Sequence, residues 1–223
     1  MTEAAKSADD SLFRANADGM GLLLALARAG SVSSTRGNEL FAQVAREGNV
    51  AFLPFANVWW ASQSDTASLA ASEAIAHKAG QKASPEQQGL AAYAEQTARG
   101  YSRLARGDTA GALTLLLQLA DSSVPRSMMP VRLDVARMLA RDRAKEAAEY
   151  LDARPPFQAA PTMWDVEWRL DRAGVAARFG DRATARLHYS TAVAAWEHAD
   201  ALLQPRIEEA RRALRQLGPA PSP

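Results

Sequence analysis

Three histidines, His77, His188 and His198, are the first residues to weigh for metal or proton chemistry in this 223-residue chain. His188 and His198 stand ten apart on one helical segment, whereas a helix-borne zinc site wants ligands three or four apart and further ligands besides. Glu197, beside His198, points about 100° away around the helix. There is no cysteine, so thiol catalysis, thiolate ligands and disulfides are excluded, and the chain suits a reducing cytoplasm. Ser-His-Asp chemistry needs a nucleophile on a sharp turn, and no G-x-S-x-G occurs; Ser31–Thr35 and Ser122-Ser123 read as loops. Gly19-Met20-Gly21 lacks the third glycine and the Lys-Ser/Thr pair of a phosphate loop. Glu167 and Asp171 are four apart, close to Asp165, Arg169 and Arg172. They read as a solvated face with local ion pairs, because general acid–base work needs a pocket. The expectation is no catalytic residue, no metal and no cofactor.

Arginines and aromatics offer binding rather than reaction. Arg99, Arg103 and Arg106 step along one helical face, and Arg169 and Arg172 do so on another. Trp164 and Trp168 share a face, as do Tyr93, Thr97 and Tyr101, and core packing competes with a binding role for all of them. A groove built from Arg99, Arg103, Trp164, Trp168 and Arg172 would take acidic or C-terminal carboxylate peptides through bidentate contacts. The adjacent Trp59 and Trp60 cannot both face one way, which leaves one to cover a neighbouring helix or form a sticky spot. Formal net charge is +1, and residues 1–85 and 86–223 carry −1 and +2, so neither part is a basic arm for nucleic acid.

The elements that must position these residues are helices. Apolar residues recur at spacings of three and four, as in Leu90, Tyr93, Thr97, Tyr101 and Leu104. The spacing predicts helices from Pro85 (capped by Ser84) to about 106, from Asp108, over about 130–140, 143–153 and 162–179, after Asp181, and over 203–217. Upstream, Gly19–Ala29, Asn38–Glu47, Ala51–Ser62 and Thr66–Gly80 read as helices, with SVSSTRG (31–37) as a loop. Residues 1–10 and 219–223 read as disordered. No apolar run approaches the roughly 20 residues that span a bilayer, and no secretory signal pattern opens the chain, so a soluble cytoplasmic protein is expected. Alanine is abundant and arginine greatly outnumbers lysine, the coding bias of a GC-rich bacterial genome.

One turn recurs: Ser64-Asp65-Thr66-Ala67, Gly107-Asp108-Thr109-Ala110, Arg141-Asp142-Arg143-Ala144 and Gly180-Asp181-Arg182-Ala183. Glycine can take the left-handed conformation that ends one helix, and aspartate caps the next. The aspartates lie 43, 34 and 39 residues apart, the period of helix-hairpin repeats. GDTAGAL (107–113) and GDRATARLHY (180–189) resemble the turn and second helix of tetratricopeptide repeats. Trp168, Gly180-Asp181-Arg182, Ala185, Tyr189, Trp196, Ala199-Asp200, Leu203-Gln204-Pro205, Glu209-Ala210-Arg211 and Leu214 resemble the C-terminal repeats of some bacterial serine/threonine kinases and regulators. The likeness covers roughly 86–217 and weakens toward residue 50; the third copy lacks the turn glycine. It implies non-catalytic repeats that serve an effector, and no kinase module is present to carry catalysis over.

The expected fold is all-α: stacked antiparallel helix hairpins over 11–218, a tetratricopeptide-like α-solenoid with weaker repeats at 19–80, clearer ones at 84–217 and a C-terminal capping helix. The expected function is a protein–protein interaction scaffold or regulatory module that docks a peptide or partner helix in a concave groove, with neither nucleic acid nor membrane as partner. The seam Leu203–Leu217 would equally serve a homodimer. The alternative is a small-molecule-binding or enzymatic helical domain, its pocket between residues 19–62 and the repeats.

Overall fold

The computed structural model describes residues 20, 21, 23, 24, 32–120, 129–153, 163–199, 201 and 203–218. Among them all regular structure is helical: α1 (Ser34–Glu47), α2 (Leu53–Ser62), α3 (Thr66–Lys82), α4 (Pro85–Ala105), α5 (Thr109–Ala120), α6 (Met129–Leu139), α7 (Ala144–Asp152), α8 (Met163–Arg178), α9 (Arg182–Ala195) and α10 (Gln204–Gln216). Of the expected helix Gly19–Ala29, Met20, Gly21, Leu23 and Leu24 are described, and all four are helical and buried. The segments 1–10 and 219–223, and Ser122-Ser123, lie outside the described residues. The helices group into two compact units, Met1–Arg132 and Leu133–Pro223.

Three of the four recurring turns are one backbone motif. The amide of Asp65 donates to Trp60 O at 2.9 Å, that of Asp108 to Arg103 O at 3.0 Å and that of Asp181 to Ala176 O at 3.0 Å. One residue earlier, Ser64, Gly107 and Gly180 donate to Ala61, Leu104 and Ala177 O, completing a Schellman C-cap. The left-handed residue sits at φ 55°, 84° and 88° respectively, so Ser64 takes without glycine's freedom the conformation its two counterparts reach easily. Each aspartate then receives an amide of the next helix: Ser68 N at 3.0 Å, Gly111 N at 2.8 Å and Thr184 N at 3.0 Å.

The third copy, at Asp142, departs from the expected cap. Arg143, not Asp142, is the N-cap of α7, and its side chain makes no capping bond. No residue here takes a positive φ, so the chain runs on, and Arg143 N donates to Leu139 O at 2.8 Å. Asp65→Ala should therefore cost about 1 kcal/mol of stability, while Asp142→Ala should cost no capping energy. Urea melts of the two variants measure the difference, and equal losses would contradict it.

The first unit is organised around α2, whose residues Leu53 to Trp60 are all buried. Such a helix is covered on every side rather than along one stripe. That corrects the sticky-spot reading: Trp59 and Trp60 are both 2% exposed. Helix α2 packs on α1, α3 and α4; α3 packs most extensively on α4, and α4 on α5. SVSSTRG is not all loop. Ser33 caps α1 by accepting from Arg36 N at 3.2 Å, so the helix begins four residues earlier than its apolar pattern announces. Gly37 in its first turn lies against the Trp59 ring, where an added Cβ would come within 2.6 Å. The sequence signal missed here was Ser33, a capping residue just before the helix.

In the second unit α8 packs on α7 and α9, and α9 on α10. Val166, Leu170, Ala192 and Ala210 form a core from α8, α9 and α10, with Tyr189, Val193 and Trp196 against it. Arg182 and Arg186 of α9 donate to Leu217 O, and Arg186 also to Gly218 O, which satisfies carbonyls at the end of α10.

Candidate functional site

The residues singled out for partner binding divide between the units. Arg99 and Arg103 lie on α4 in the first, both about half exposed. Arg99 donates through Nε to Glu73 at 2.7 Å and through Nη2 to Glu95 at 2.5 Å. The Glu73 bond chiefly holds its guanidinium above its ordinary titration range. Arg103 is looser, with Nη1 at 3.9 Å from Asp108.

Trp164, Trp168 and Arg172 lie together on α8 in the second unit, and all three are buried. Trp168 donates from Nε1 to Leu151 O at 3.2 Å and meets His188 edge-on, ring centroids 5.3 Å apart. Arg172 clasps Asp152 through Nε and Nη2, at 2.6 and 2.8 Å. Trp168 and Arg172 thus tie α8 to its neighbours α7 and α9. His188 is on α9, but His198 lies beyond its end and is exposed, so the two histidines do not share the helix the spacing suggested.

His188 carries a pH signature. Burial first, then the guanidiniums of Arg172 and Arg169, lower its titration below 6.5, against weaker opposite pulls from Asp152 and Asp181. A depressed imidazole contributes stability above the unfolded value and loses it as pH falls through the folded value. The second unit should therefore melt at lower temperature as pH drops below about 6.5, and His188→Gln should flatten that slope. Identical slopes for wild type and variant would contradict it.

Glu167 and Asp171, expected on a solvated face, instead sit in a network of charge. Glu167 and Asp171 are largely buried, with side chains 13% and 11% exposed. Arg137 of α6 donates to Asp171 at 3.1 Å, to Asp134 at 3.3 Å and to Glu167 at 3.1 Å. Arg206 of α10 reaches the same Glu167 at 3.2 and 3.4 Å and Glu209 at 3.1 Å. Glu167 thus ties α8 to both α6 and α10, and its partners lie 30 and 39 residues away in sequence, beyond any local pairing rule.

Burial opposes the Arg137 charge, but Asp171, Asp134 and Glu167 outweigh it and raise the guanidinium further. Arg206 is raised likewise, chiefly by Glu167 against its burial. For Asp171 burial wins: its carboxyl titrates above the usual range although Arg137 and Arg206 pull it down.

Beside this network lies a cavity of about 240 Å³, walled by Arg137 of α6 and Ala140 just past its end, Asp171, Gly174 and Arg178 of α8, Tyr189 of α9, and Arg206 and Glu209 of α10. Arg178 is exposed and donates from Nη1 to Ala140 O at 2.7 Å. The sequence pattern assigns no binding role to Arg137, Arg178, Tyr189, Arg206 or Glu209; the signal available was the spacing Asp171, Gly174, Arg178 along one face of α8. Among the described residues no group of three or more His, Asp or Glu side chains could hold a metal ion, and no helix is long and apolar enough to cross a membrane. Comparison of the chain with protein-family models, with curated proteins and with solved structures finds no significant match.

Proposed function

We propose that the chain is a non-catalytic helical-repeat interaction module of the tetratricopeptide kind, a scaffold or regulatory element that docks a protein partner. The observation that carries this reading is the corner built three times with the same backbone bonds, each joining a helix to the next through a left-handed residue and an aspartate cap. Within the first unit α2 packs on α4 as well as on α3, the alternate-helix contact by which stacked hairpins bury their stripes. The near-neutral charge favours a protein partner over nucleic acid, in a cytoplasmic setting.

The docking surface is narrower than the five-residue groove. Trp164, Trp168 and Arg172 serve the core, so the accessible members are Arg99 and Arg103, with acidic peptide groups as their natural complement. A homodimer through α10 gains less support, because Ile207 and Ala210 of its apolar seam are each 2% exposed within the chain.

The test is capture of partners from the source cell with wild type and with Arg99→Glu/Arg103→Glu. Loss of a specific partner with an unchanged helical spectrum supports the reading. Retention of every partner by the variant removes α4 as the docking face.

A further inference from the structure

We propose that the cavity between α6, α8, α9 and α10 is a binding site for a carboxylate, independent of the α4 surface. Among the described residues, its walls carry more hydrogen-bond donors than are used. A guanidinium has five N–H groups. The bonds formed by Arg137 and by Arg206 take three each, and those of Arg178 take one. The Tyr189 hydroxyl makes no hydrogen bond among the described residues, and it lines the same cavity as Arg137, Asp171, Arg178 and Arg206. Opposite that hydroxyl stands Gly174, where an added Cβ would meet only Tyr189 Oη, at 3.6 Å. The absent side chain leaves the hydroxyl facing open space beside the helix.

The volume decides the size of the occupant. About 240 Å³ is below the roughly 300–1,000 Å³ of sites for drug-sized ligands, and fits one acidic side chain, a chain terminus or a short-chain acid. The surplus donors can serve an acceptor in place of water, and an exposed arginine beside a tyrosine hydroxyl suits a planar carboxylate held bidentately. A phosphate would bring more charge against Asp171 and Glu209 in the same walls. An ammonium would face three guanidiniums against two carboxylates.

Isothermal titration of the full chain with propionate, propionamide, n-propylamine, inorganic phosphate and N-acetylglutamate methylamide tests the site. Propionate or the glutamate derivative should bind at least tenfold more tightly than propionamide, propylamine or phosphate. Arg178→Gln, an exposed position, and Tyr189→Phe should each weaken that binding about tenfold, and Gly174→Leu should abolish it. Tighter binding of the glutamate derivative than of propionate identifies a partner's acidic residue as the source, and equal binding a free acid; both support the site. Propionamide binding as well as propionate, phosphate or amine binding more tightly, an unchanged affinity in Arg178→Gln, or no carboxylate binding at all would overturn it. Arg99→Glu/Arg103→Glu lies on α4 and leaves this binding intact, so the two proposals fail separately.

Discussion

Trp59→Ala should destabilise the first unit by about 3–5 kcal/mol, the range for deleting a buried tryptophan from a packed core. The indole is 2% exposed, stacks on Phe41 at 5.7 Å and lies against Gly37. Its Nε1 donates to Asn38 at 2.8 Å, but Asn38 is exposed and can turn to water, so most of the cost is the void between α1 and α2. Trp59→Phe should recover most of the loss. Urea denaturation of the full chain measures both, and a loss under about 1 kcal/mol for alanine would mean that α2 is not the helix the others are built around.

The second large effect belongs to Glu167. Removing one partner of a buried ion network leaves uncompensated charge and typically costs about 3–5 kcal/mol. Here the side chains of Arg137 and Arg206 are 33% and 36% exposed and can partly rehydrate, so Glu167→Ala should cost about 2–3 kcal/mol. Arg206→Ala should remove much of the same interaction. The Glu167→Ala/Arg206→Ala double variant should then fall short of the sum by about 1 kcal/mol or more. Strict additivity would mean that Glu167 does not couple α10 to α8.

How much of this was legible follows from the range of each interaction. The corners at Asp65, Asp108 and Asp181 were readable because a left-handed residue, a C-cap and an N-cap lie within five residues of one another. Asp142 repeated the letters without the geometry, since no residue there adopts a positive φ. The helices downstream of Pro85 fell within a few residues of their expected bounds because their apolar stripes are local patterns. The ion network was illegible: Glu167 and Asp171 look like a solvated pair until Arg137 and Arg206 arrive from other helices. For the same reason Trp168 and Arg172 looked like a binding face. Their partners Leu151, Asp152 and His188 sit on α7 and α9, and spacing along α8 alone cannot distinguish a stripe that faces a groove from one that faces a neighbour.

Amide hydrogen exchange on the full chain, alone and saturated with a captured partner, tests the interaction reading most directly. Docking on the exposed arginine face should slow exchange in the C-terminal turns of α4, around Arg99 to Arg106, and leave buried α2 unchanged. Saturating partner without protection anywhere on α4 would contradict it.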